Sequence, residues 1–157
     1  MKAASVQEIK QELAQLPAAK LTAICLRLAK FKKENKELLS YLLFEAGDEH
    51  GYVQSVKIEM DSIFGEINQS NVFYMKKTLR RILRITNKHI RYIGSKTAEV
   101  ELLIHYCRMF KEAGVPVRKS VLLSNIYNGQ LKKIEKLIAA LHEDLQRDYQ
   151  NEIKELQ

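Results

Sequence analysis

Apolar residues along this chain recur at spacings of three and four rather than two, which predicts helices and leaves no obvious place for strands. Ser5 followed by Glu8 reads as a capping box opening a short first helix that reaches about Leu16. Pro17 suits the first turn of a second helix, because its fixed φ is helical and its missing N–H is not needed there. Leu21, Ile24, Cys25, Leu28 and Phe31 form the stripe of that helix. The polar run 32–36 predicts a hairpin or sharp bend before a second apolar stretch, Leu38 to Phe44. Gly47-Asp48 reads as a stop followed by a cap, and Val53, Val56, Met60, Ile63, Phe64 and Ile67 mark a third major helix. Ser70 or Asn71 caps the next helix, which runs to Ile93 and ends at Gly94, the residue best able to take a left-handed conformation. Ser95 caps the segment 96–113, whose apolar residues surround much of its circumference and predict the most buried helix. Ser120 opens the last region, where Asn128-Gly129 is expected to part a short helix from a long C-terminal one over about 130–156. The expectation is therefore all-α: a single domain, 1–157, of about six or seven helices packed as a bundle or as stacked αα-hairpins.

The stretch from Leu13 to Phe44 has a Leu-Pro start, a helix, a Lys-rich turn and a Tyr-Leu-Leu-Phe segment. It resembles a family of uncharacterised helical bacterial proteins, a domain of unknown function. The resemblance covers roughly the first third of the chain and implies helical structure without implying any chemistry.

With 157 residues the chain is long enough to bury a core without disulfides or metals, and 46% hydrophobic with 29% charged residues is an ordinary globular balance. No window approaches the ~20 apolar residues of a membrane span, and residues 1–15 lack a signal peptide's apolar run. Cys25 and Cys107 show neither CxxC spacing nor neighbouring metal ligands. Both are expected to be buried, unlinked thiols of a reducing compartment, and the expected location is cytoplasmic.

Familiar catalytic patterns do not occur. The six glycines are scattered, so no phosphate loop forms between a strand and a helix. His50, His89, His105 and His142 are remote from one another, and adjacent His142, Glu143 and Asp144 point about 100° apart on a helix, which disfavours convergence on one metal ion. His105 and Cys107 face directions about 200° different on one helix and cannot pair as base and nucleophile. The tyrosines follow the apolar stripes and are expected at the edges of the core. The chain is therefore expected to be non-enzymatic, without cofactor or metal, unless folding alone assembles a site.

Charge changes this picture in one place. Residues 67–134 hold 14 Lys/Arg against 3 Asp/Glu, although the whole chain carries only +7. From Ile67 through Ala98 there is no acidic residue. At about 100° per residue, Lys76, Lys77, Arg80, Arg81, Arg84, Lys88 and Arg91 fall within an arc of about 140°, with Met75, Leu79, Ile82, Ile85, Ile90 and Ile93 mostly opposite. Like charges at i, i+4 repel, so either solvent or an anionic partner must offset them. Four of the seven are arginines, whose planar forks suit phosphate and carboxylate. The expected partners of this ridge are an acidic protein surface or nucleic acid, although no zinc finger, RNP or helix-turn-helix signature accompanies it. The acidic last helix is a further candidate, either docking on the ridge or pairing with its own copy in a homo-oligomer.

Overall fold

The computed structural model describes residues 1–157 and is all-helical, with eight α-helices and no strand. The chain divides into two compact units, Met1–Glu45 and Ala46–Gln157.

In the first unit, α1 spans Val6–Ala14, α2 spans Ala18–Phe31 and α3 spans Lys33–Ser40, continuing into a π-helical turn at Tyr41–Glu45. The capping box forms. Ser5 Oγ accepts from the Glu8 N–H at 3.3 Å, and the Glu8 carboxylate accepts from the Ser5 hydroxyl and N–H at 2.7 Å each, which holds this carboxyl below its ordinary range. Extended backbone at Lys32 makes the sharp bend between α2 and α3, which pack on each other. Asn35 Nδ2 donates to the Leu28 carbonyl across that bend at 2.9 Å. Tyr41 is the one buried residue of this unit. Along the α2 stripe Leu21 is half-buried, while Ile24, Cys25, Leu28 and Phe31 are exposed, Cys25 against the expectation of a buried thiol. Periodicity identified an apolar face, and α3 packs on α2 without burying it.

The second unit holds α4 (Glu49–Gly65), α5 (Val72–Ile93), α6 (Lys96–Glu112), a 3-10 turn (Val117–Lys119), α7 (Val121–Ile138) and α8 (Glu143–Leu156). Asp48, Asn71, Ser95 and Ser120 each accept a backbone N–H of the helix that follows, and Gly94 ends α5 at φ +69°. The central element is α6, which packs against α4, α5, α7 and α8. Leu102, Leu103, Ile104, Tyr106, Cys107 and Phe110 are buried along it. Rings of Phe64, Tyr106, Phe110 and Tyr127 form a chain through this core with successive centroids 5.5, 5.9 and 5.1 Å apart.

The long C-terminal helix expected over about 130–156 is two helices. Asn128-Gly129 lies inside a continuous α7, where Asn128 Nδ2 donates to Ser124 Oγ at 3.0 Å and the chain does not part. The break falls at 139–142 instead, without glycine or proline. There the backbone turns extended at His142, and Gln146 Nε2 donates to the freed Leu141 carbonyl at 2.8 Å.

Cys107 is buried and free as expected, whereas Cys25 is free but exposed. Burial pushes the Cys107 thiol up to about 12, with nearby Lys111 working the other way. Burial, helped by Cys107, pushes the Tyr127 phenol up to about 12 and raises Tyr106 further. In each case the fold favours the neutral form. The stabilisation is complete below the unfolded values, about 8.5 for thiol and about 10 for phenol, and is lost as pH rises through them towards the folded values. Denaturant midpoints should therefore hold steady near neutrality and decline above about pH 9. A thiol reagent should label Cys25 alone in the dilute native chain; comparable labelling of Cys107 without denaturant would contradict its burial.

A candidate anion-binding face on the fifth helix

Local chemistry sets α5 in place. Asn71 Oδ1 accepts from the Phe73 N–H at 2.8 Å at its start, and the Gly94 N–H bonds the Ile90 carbonyl at 2.9 Å at its end. Between these caps lie 22 residues without a carboxylate. Met75, Leu79, Ile82, Thr86 and Ile90 are buried on the inner face, which orients the cationic arc outward. Thr86, polar yet fully buried, is satisfied by donating its hydroxyl to the Ile82 carbonyl at 2.9 Å.

The structure separates the seven cations of the ridge. Lys76, Lys77, Arg80, Arg81 and Arg84 line an open surface groove of about 360 Å³ together with Phe73. Lys88 and Arg91 lie beyond it, and the Lys88 ammonium stands 5.9 Å from the centroid of the Tyr92 ring. Lys77, Arg80, Arg81, Arg84 and Arg91 include the most open positions, while Lys76 and Lys88 are half-buried. Arg81 reaches Glu66 at 3.5 Å, but both side chains are more than half exposed, so this contact contributes little. Lys77, Arg80, Arg84 and Arg91 meet no carboxylate at ion-pair distance.

Of the carboxylates on neighbouring helices, Glu59 of α4 meets His89 of α5 at 3.3 Å, and several others are engaged away from α5. Glu101 pairs with Lys57, Glu99 with Lys133 at 2.8 Å, and Asp61 with His105 at 2.6 Å. On α8, Glu152 meets Arg108 at 3.0 Å and the Glu155 carbonyl accepts from Lys111 at 3.1 Å. The acidic last helix therefore lies on α6 and α7 and does not dock on the ridge. Its apolar residues Ile153 and Leu156 are buried in that packing.

Sequence reasoning overlooked Phe73. Its ring is 62% exposed, the Lys76 ammonium lies 5.8 Å from its centroid, and it packs edge-on against exposed Tyr74. The signal was present, because three residues before Lys76 is about 60° on the same wheel, inside the cationic arc and away from the core-facing stripe. Of the other candidates, His105 and Asp61 make a cross-helix tie one turn along from Lys57 and Glu101, joining α4 to α6. No three His, Cys, Asp or Glu side chains converge as a metal would need, and His142 instead accepts the Asp144 N–H at 3.4 Å.

Fold and face together define an all-helical protein bearing one largely uncompensated cationic helix. No family model, curated protein or solved structure matches the chain. No helix is long and apolar enough to cross a membrane.

Proposed function

We propose that the chain is a non-enzymatic helical binding module that docks an anionic partner on the face from Lys76 to Arg91. One observation carries this reading: Lys77, Arg80 and Arg84 share a groove and have no carboxylate partner, although Asp61, Glu99, Glu101 and Glu152 on the same unit are paired. A helix that tolerates i, i+4 repulsion gains what it lacks from phosphates or carboxylates, and arginine can take either bidentately. An acidic protein surface satisfies that need. A nucleic acid satisfies it too and also makes use of Phe73, since exposed rings among cations are how single strands are stacked and held. The two free thiols support a cytoplasmic setting, which belongs to this proposal.

The test is a titration of a labelled single-stranded oligonucleotide and, separately, of a glutamate-rich peptide over a range of salt. Oligonucleotide affinity should fall linearly with salt on logarithmic axes, with a slope of about 0.7 per phosphate engaged on a single strand. Binding of the peptide alone would select the protein partner. Failure of both at low salt would overturn the reading and leave the ridge a solvated face.

A further inference from the structure

We propose that the Met1–Glu45 unit is a self-association arm that pairs with the same unit of a second copy of this chain. The inference is independent of the ridge, which lies on a helix of the other unit. Its starting point is an imbalance. Three helices and a π-turn contain a single buried residue, Tyr41, while Phe31 is 77% exposed, Phe44 79%, Leu43 64% and Leu42 56%. A three-helix segment of this size is close to the limit of roughly 40 residues below which oligomerisation or cross-links usually supply the missing burial.

The exposed surface is large enough to support a dimer. A phenyl side chain offers about 150–250 Å² when free, so Phe31 and Phe44 together leave roughly 250–350 Å² of apolar area in water. Leu28, Leu42 and Leu43, each more than half exposed, bring the apolar area towards the roughly 600 Å² per partner of the smallest standard interfaces.

Shape selects a second copy over an unrelated partner. Between α2 and α3 lies an apolar groove of about 230 Å³ lined by Cys25, Leu28, Ala29, Leu38, Leu39 and Leu42, with Asn35 at its edge. An apolar cavity of about 150 Å³ already accommodates benzene. Phe31, one turn beyond Leu28 on the same helix, is an exposed phenyl ring beside that groove. Ile24, Leu28 and Phe31 step by four and three, the spacing of a helix-pairing seam. A hole and a matching knob on one face are what a two-fold, isologous contact requires: the ring of each copy enters the groove of the other. No charged residue lines the groove, so a charged partner would gain nothing specific there.

Light scattering after size exclusion, run on the full chain from low micromolar to several hundred micromolar, should show the apparent mass rising towards twice that of the chain. Phe31→Asp and Leu28→Asp should each hold it at one chain mass with unchanged helix content. If either loses helix, Phe31→Ala, which removes only the ring, carries the same expectation. Cys25 lines the filled groove, so its reaction with a thiol reagent should slow as the wild type concentrates and should not slow in F31D. A wild type that stays monomeric throughout overturns the proposal, even if it binds amphipathic peptides. So does a dimer that survives F31D and leaves Cys25 equally reactive, since its contact would lie elsewhere.

Discussion

Leu103→Ala should be among the most damaging single substitutions in the chain, costing about 2–5 kcal/mol of stability. Leu103 is fully buried at the middle of α6, the helix that touches four others, so neighbours on several sides would have to move to close the cavity. Domains of this size have about 5–15 kcal/mol in total, and each kilocalorie moves the melting midpoint by about 2–4 °C. The midpoint should therefore fall by roughly 5–15 °C while helix content at low temperature is retained. Leu122→Ala, half-exposed near the start of α7, is the matched control and should change stability by less than about half a kilocalorie. Equal effects at the two positions would mean that α6 is not the centre of the core.

Arg80→Glu combined with Arg84→Glu should separate binding from folding. Both guanidinium groups line the groove and lack carboxylate partners. If they contact phosphates, their reversal should reduce the slope of log affinity against log salt by about 1.4 on a single strand and abolish retention on an anionic matrix. Stability should move little, and in the favourable direction. The new carboxylate at position 80 would lie one turn from Lys76, and that at position 84 one turn from Lys88, turning i, i+4 repulsion into attraction worth a few tenths of a kcal/mol each. Lost anion binding together with an unchanged or slightly raised melting midpoint is therefore the expected result. A clear fall in the midpoint would show that the ridge serves the fold instead.

The parts of this structure that were legible in sequence are those decided within a few residues. Ser5 with Glu8, Asp48, Ser95 and Ser120 act on backbone groups two or three positions away, and Gly94 solves a local steric problem, so their residue types were sufficient signals. The inward face of α5 and the burial of α6 followed from periodicity for the same reason. What failed depended on partners distant in sequence. The α2 stripe was identified, but whether anything lies against Ile24, Leu28 and Phe31 is a property of packing. Asn128-Gly129 carried the strongest local signal for a break, yet α7 continues through it with Leu131 and Ile134 buried beyond. The break at 139–142 is fixed by packing and by the Gln146 side chain, and neither has a composition signature.

The short helix after that break is held in an unusual sense. Of α8, only Ile153 and Leu156 are buried, and both lie in its last turn. Tyr127 donates its hydroxyl to the Leu156 carbonyl at 2.7 Å, and Lys111 reaches the Glu155 carbonyl, so the final residues are gripped by α7 and α6. Glu143, Asp144 and Leu145 at the other end are exposed. Between the two ends, Tyr149 packs half-buried against the core, and Gln146 ties the first turn back to the Ala139 and Leu141 carbonyls. Mechanically α8 is a strap buckled most firmly in its last turn, with a lighter stitch at the bend.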